Sequence, residues 1–165
     1  MTEDEVSVTG TYDHFLTEKV FSNTSLAFEQ DDINDINLRS ELSQGVGYQQ
    51  YEQEDLNLKY VSGATYIRTN FTGDRDTDDS LAASWMLDYD QKFFSDTLTL
   101  FHLQELDIPV DDVNAFLIET ETGVKVPVAE KLDGTFRIDF DWNNDPADGV
   151  KEDDTKYTLS LGYSW

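Results

Sequence analysis

The stretch that decides the fold is T-K-Y-T-L-S-L-G-Y-S-W, residues Thr155–Trp165. From Tyr157 onward every odd position is large and apolar or aromatic (Tyr157, Leu159, Leu161, Tyr163, Trp165). Every even position is small or polar (Lys156, Thr158, Ser160, Gly162, Ser164). Successive side chains of a strand point to opposite faces, so this alternation makes a ribbon with one apolar and one polar face. The stretch is as long as the roughly 9–11 residues a tilted strand needs to cross a bilayer. Its apolar face runs aromatic, aliphatic, aromatic, which would set rings at both membrane interfaces with leucine between them.

Working outward, the same alternation recurs along the chain, interrupted by acidic, turn-rich spacers. Val6, Val8, Gly10 and Tyr12 share one face, opposite Ser7, Thr9, Thr11 and Asp13. In Val20–Phe28, Leu26 and Phe28 oppose Asn23 and Ser25; in the next segment Ile36, Leu38, Leu42, Val46 and Tyr48 oppose Arg39, Glu41, Ser43, Gly45, Gly47 and Gln49. The two glycines on the polar side suit a bend in a wall or the crossing of a neighbouring aromatic ring. Leu56–Phe71 starts with Leu56, Leu58 and Tyr60 and ends with Ile67, Thr69 and Phe71 on the other parity, which predicts a bulge. Leu81–Asp90 alternates cleanly, Thr97–Glu105 switches parity at Phe101, and Leu106–Asp112, with Pro109, reads as a connection. Phe116–Val128 and Phe136–Trp142 alternate again before the long spacer Asn143–Asp154. No segment carries a helical period, so the expectation is an all-β antiparallel up-and-down meander of about nine strands in one domain, 1–165.

Connections alternate short and long, with acidic clusters in the spacers at 31–35, 73–79, 106–112 and 143–154. Outer-membrane barrels pair short periplasmic turns with longer extracellular loops. The expected architecture is therefore a transmembrane β-barrel with Trp165 at the periplasmic end and an acidic outer rim. The terminal strand looks like the carboxy-terminal assembly signal of such barrels, with Tyr157, Leu159, Leu161, Tyr163 and Trp165 as the residues that carry it. An odd strand count puts both termini at opposite ends, whereas single-chain bacterial barrels have even counts. The expectation is that N-terminal strands are missing, so that Val6–Phe15 stands in as the closing partner of Thr155–Trp165 or the edge stays open.

Composition narrows the function. With 35 acids against 11 bases the formal charge is −24, which repels nucleic acid phosphates and excludes DNA or RNA as a partner. The bland account of that charge is a solvated acidic surface adapted to high salt. The chain has no cysteine, so neither a disulfide framework nor a thiolate metal site exists. A mean hydropathy of −0.54 and the lack of any long apolar run exclude a helical membrane protein but not a barrel. The first residues lack the basic-then-apolar pattern of a signal peptide.

Several ordered blocks carry a family resemblance. They are Tyr12-Asp13-His14-Phe15-Leu16, Leu38-Arg39-Ser40 with Gly45-Val46-Gly47-Tyr48, Glu119-Thr120-Glu121-Thr122-Gly123-Val124-Lys125-Val126-Pro127-Val128, and Asn144-Asp145-Pro146-Ala147-Asp148-Gly149-Val150-Lys151 followed by Asp154-Thr155 and the terminal strand. In this order the chain resembles the salt-induced outer-membrane proteins, YdiY-like, of domain of unknown function 481. The resemblance implies a bacterial outer-membrane β-barrel of unassigned activity, with further strands and a signal peptide ahead of this chain's first residue. The acidity is a departure from the family's usual balance and suggests a salt-adapted or cation-exposed setting.

The chemistry offers no catalytic constellation. His14 and His102 are far apart and read as wall side chains, and no Gly-rich phosphate loop or metal-ligand spacing occurs. The expectation is a non-enzymatic protein without cofactor. Asp74, Asp76 and Asp78 alternate in a way that could offer oxygens to calcium, but the glycine and glutamate of an EF-hand loop are absent, so the spacer reads as solvated. The polar parity of the strands holds Arg39, Glu41, Lys59, Asp88, Asp90, Glu119, Glu121, Lys125, Arg137, Asp139, Asp141 and Lys156. In a barrel these line the lumen, either as a paired network that plugs it or as a narrow, cation-preferring channel. The expected partners are outer-membrane lipid, the barrel-assembly machinery through the terminal strand, and cations at the acidic rim. The competing class is a soluble calyx or β-sandwich binding module, kept open by polar residues on the apolar parity such as Ser40, Gln44, Thr120 and Thr122.

Overall fold

The computed structural model describes residues 5–31, 36–73, 77–95, 97–144 and 151–163. The alternating segments become nine strands: β1 (Glu5–Phe15), β2 (Val20–Asp31), β3 (Ile36–Glu52), β4 (Leu56–Phe71), β5 (Asp78–Phe93), β6 (Leu98–Pro109), β7 (Leu117–Ala129), β8 (Leu132–Asn143) and β9 (Asp153–Tyr163). Each pairs antiparallel with the next, in the single spatial order β1 to β9. Among the described residues there is no helix. The meander and its strand number agree with the sequence reading.

Closure does not. Among the described residues β1 pairs only with β2 and β9 only with β8, so the sheet is open, the second of the two expected outcomes for that seam, and no closed barrel forms. Val6–Phe15 does not take the place of a missing neighbour for β9. The sheet is nevertheless strongly curled. Ser7 and Thr9 of β1, Arg39 and Glu41 of β3, Glu105 and Asp107 of β6 and Glu119 of β7 line one cavity of about 430 Å³. The polar parity is therefore concave and the apolar parity convex.

Two local readings are corrected. β4 carries no bulge of its own: it pairs continuously with β5 from Leu56 to Thr69. The register shifts against β4 lie in β3, between Ile36 and Leu38 and between Gln49 and Tyr51. The parity switch arises because apolar side chains also occupy the concave face, with Val61 buried and Ile67 lining the cavity. Likewise, Leu106–Pro109 is strand, not connection, and the link to β7 is 110–116. Its register against β5 continues to Ala82↔Pro109, whereas β7 pairs only as far as Asp107. Proline has no N–H, so it is tolerated where one ladder has already ended.

Glycine shapes the wall at Gly47. A Cβ there would overlap the ring of Phe21, which is 1% exposed and the most deeply buried large side chain. Gly63 faces Gly45 across β3 and β4, and a Cβ on it would press into the Gln44 carbonyl. These contacts allow the two strands to bend sharply. The tight β7–β8 turn, Glu130–Lys131, holds Lys131 at φ 66°, a left-handed conformation that a branched side chain would strain.

Candidate functional site

The candidate site is the concave face, because hydrogen-bonded register gathers there the charges that the sequence spreads over the chain. Arg39 lies 2.9 Å from Glu41 and 3.9 Å from Glu29 of the neighbouring β2. Arg137 repeats the arrangement, 2.9 Å from Asp139 and 3.0 Å from Glu121 of β7. Both arginines thus sit between two carboxylates, one two residues on in the same strand and one across a strand pair. Neither Nε makes a directional hydrogen bond, so these are charge contacts first. Lys59 and Asp88 face each other in register at 3.3 Å, and Lys125 reaches Asp133 at 3.3 Å. Lys156 stands opposite Asp139 in the ladder.

These pairs account for most of the expected lumen residues. Asp90 lies on the same face, opposite Phe101, away from these pairs. Glu119 and Asp141 belong to a different group. Register places Glu105 opposite Glu119 and Glu119 opposite Asp141, a row of like charges across β6, β7 and β8. Asp107 stands beside that row, with one carboxylate oxygen buried and without a hydrogen-bond partner. Like charges directly opposite destabilise a sheet, so this row is a cost that the wall carries. A second cavity, of about 440 Å³, adjoins the first and shares Glu41, Glu105 and Asp107 with it.

Glu29, Glu105, Asp107 and Asp133 were missed by sequence reasoning. Parity alone could have found two of them. Both continue the Phe101–Leu103 phase: Glu105 closes the expected strand Thr97–Glu105 on a parity that looks apolar, and Asp107 falls just past its expected end.

The other expected groups separate clearly. Tyr157, Leu159, Leu161 and Tyr163 are exposed on the convex face, Leu159 at 81%. Trp165 lies outside the described residues. Asp74 and Asp76 of the weak calcium spacing also lie outside them, and Asp78 opens β5, opposite Thr69. Among the described residues no cluster of three carboxylate, histidine or cysteine side chains could hold a metal ion. His102 is a wall residue, its Nδ1 2.7 Å from Thr122 Oγ1 on β7. Gln44, another polar residue on the apolar parity, accepts from Thr24 Oγ1 at 2.9 Å and donates to the Asn23 carbonyl at 2.8 Å. Thr120 donates to the Phe140 carbonyl.

The convex face is otherwise apolar and uncovered. Large hydrophobics on every strand from β1 to β5, and again on β8 and β9, stand exposed there, including Val8, Leu26, Leu42, Tyr66, Leu81, Phe136 and Leu159. Buried hydrophobic residues are only Phe21, Val61 and Ala82 among those described. The accessible surface is 11430 Å², against roughly 8,300 Å² for a compact monomer of this mass.

A search among curated proteins finds no match to the sequence. The family model described as "Protein of unknown function, DUF481" matches residues 1–165. With the alternating strands, the nine-stranded meander and the full-length match in hand, the chain belongs to the DUF481 family.

Proposed function

We propose that this chain is the wall of a bacterial outer-membrane β-barrel, non-enzymatic and structural or porin-like, with lipid against its convex face and water in its concave one. The observation that carries the reading is the inversion of faces. A soluble calyx or sandwich turns its apolar side chains inward to pack. Here the exposed large apolar residues point out along a curled sheet, and the charged residues point in, beside a few apolar ones such as Val61 and Ile67. A contiguous apolar surface of this extent marks a membrane or protein contact.

Two further features fit lipid. Polar side chains on the convex face satisfy one another, as Gln44 does with Thr24 and Thr122 with His102, which hydrocarbon demands. The apolar belt is bounded toward one end by Tyr66, Arg68 and Asp79, linked by a 2.8 Å hydrogen bond and a 3.8 Å ion pair. Toward the other it is bounded by Lys19, whose ammonium lies 5.9 Å from the Tyr48 ring centre. Aromatic and charged groups belong at those two interfaces.

On the inner face the paired bases leave an unpaired carboxylate row, which favours cations over anions in transit. That excess also gives the salt-linked reading a physical basis, since ions screen it. The barrel-assembly machinery would engage β9, whose outer edge is unpaired.

The test is reconstitution. The purified chain is expected to need detergent, to float with lipid vesicles, and in planar bilayers to pass current with a reversal potential on the cation side. A chain that stays folded and monomeric in detergent-free buffer and does not float refutes the membrane reading. A silent bilayer around a chain shown to be inserted refutes the pore and leaves the structural role.

A further inference from the structure

We infer that the outer face of β6 and β7 is a contact between two copies of this chain, meeting about a two-fold axis that follows the membrane normal beside the Gln104–Thr120 pair. The inference rests on the membrane reading above and adds a partner to it.

The apolar belt is interrupted on these two strands. Exposed large hydrophobics run along the convex face as far as Leu81 and Trp85 on β5 and resume at Phe136 on β8. On β6 and β7 only Val128, at the turn end of β7, is exposed among the described residues. In the gap the ladder sets polar side chains side by side: Tyr89, His102 and Thr122 in one row, Gln104 and Thr120 in the next. The pairs Leu100–Val124 and Leu106–Ile118 frame these rows on either side.

Two glutamines of the convex face differ in what they leave open. Gln44 satisfies both ends of its amide within its own wall, on Thr24 Oγ1 and on the Asn23 carbonyl. Gln104 makes no side-chain hydrogen bond among the described residues, and its polar atoms are not sealed within the sheet, so the amide opens outward. Its cross-strand neighbour Thr120 is turned instead to the Phe140 carbonyl. His102 is held at one nitrogen only: Nδ1 meets Thr122 Oγ1, and Nε2 has no partner among the described residues. Hydrocarbon supplies no partner to such groups. Between membrane segments they hold neighbours together.

A second copy is the occupant these groups select. Chains inserted from one side share an orientation, so a two-fold axis between them follows the membrane normal and every residue meets its partner at its own depth. The patch must then complement itself. A carboxamide does so, donating through nitrogen and accepting through oxygen, and Gln104 pairs with its own equivalent. Charge agrees. Each copy carries a formal charge of −24, and these rows hold no acid, so two copies meet here without setting carboxylates against each other. A ring of three or more would need two different patches on each copy. The other glutamine of the belt, Gln44, is already satisfied. Area is sufficient as well. Strands β5 to β8, spaced about 4.8 Å apart, make a strip about 19 Å wide across a belt about 25 Å tall. Two such strips bury about 960 Å² of wall, close to the roughly 1,000 Å² at which specific interfaces begin.

The chain has no cysteine, so single introduced thiols report the contact on a clean background. Thr120→Cys leaves the Gln104 amide in place; Leu42→Cys on β3 and Leu159→Cys on β9 are the controls. Each chain is reconstituted in phospholipid vesicles at a low protein-to-lipid ratio and treated with a bis-maleimide of about 10 Å span, the spacing of sheets packed face to face. The expected result is a cross-linked dimer from Thr120→Cys and monomers from both controls. Gln104→Leu, without any cysteine, is expected to float and unfold as the unaltered chain does. Its monomer–dimer equilibrium, followed by energy transfer between copies labelled at the amino terminus, is expected to weaken by about 5- to 30-fold. Dimers from Leu159→Cys instead of Thr120→Cys mean that copies join at the free edge of β9 and overturn the inference. Equal bridging at all three positions is random collision and overturns it too. So do a chain that floats as a monomer or as a larger ring, and an unchanged equilibrium in Gln104→Leu. Each of these results leaves the membrane reading standing. A chain that does not float overturns that reading, and the dimer with it.

Discussion

Leu159→Arg separates lipid from water at the outer face of β9. Leu159 is central in its strand, stands opposite Phe136 on the convex side, and is 81% exposed. If that face met water, the substitution would remove almost no buried surface and would shift stability by no more than about 0.5 kcal/mol. In a bilayer the same guanidinium sits near the midplane of the belt, where arginine costs about 2–4 kcal/mol. That corresponds to roughly a 30- to 700-fold change in the folding equilibrium. Ser160→Arg is the control. Ser160 neighbours Leu159 in sequence but lies on the concave side opposite Thr135, so its arginine projects into the hydrated interior. Equilibrium unfolding in guanidinium is followed by tryptophan fluorescence in lipid vesicles and again in detergent micelles. The expected outcome is a loss of about 2–4 kcal/mol for Leu159→Arg and less than about 1 kcal/mol for Ser160→Arg. Equal losses at the two positions, or a Leu159→Arg effect below 0.5 kcal/mol in vesicles, refute the assignment of faces.

Three other predictions test the wall and its charges. Gly47→Ala forces the Phe21 ring from its seat, and is expected to cost about 1–3 kcal/mol in the same unfolding assay, with part of the loss recovered when Phe21→Leu is added. A neutral Gly47→Ala would show that the ring is not held there. Raising NaCl from about 0.1 to 1 M shortens the Debye length from about 10 to about 3 Å, which relieves repulsion along Glu105, Glu119 and Asp141. The thermal midpoint is expected to rise and KCl to act equally, whereas a fall would mean that the ion pairs outweigh the repulsion. Glu119→Gln removes the middle charge of that row, so the reversal potential of the reconstituted chain is expected to move toward zero with little change in single-channel conductance. An unmoved potential would place selectivity elsewhere.

How much of this was legible depends on whether a feature is local. Alternation is a property of neighbours in sequence, and the convex set from Val6 to Tyr163 could be read residue by residue. His102 as a wall side chain and the aromatic passing over Gly47 were likewise foreseeable, because each needs only parity and one adjacent strand. Where apolar residues occupied both parities the reading failed. Val61 and Ile67 on the concave face made β4 look bulged, Leu106 with Pro109 made the end of β6 look like a loop, which hid Asp107, and Phe101 and Leu103 on the parity of Glu105 made that position look apolar.

The sequence by itself determined that this chain forms antiparallel strands, which residues share a face, and that one face is apolar and the other charged, because strand geometry fixes side-chain direction with a period of two. Only the tertiary structure decided which charges meet. Arg39 finds Glu29 and Arg137 finds Glu121 through register, and Glu105, Glu119 and Asp141 line up because three strands are paired at particular residues. It also decided that the charged face is the concave one and that the terminal strand has a free edge, since curvature and closure depend on how all nine strands coil together.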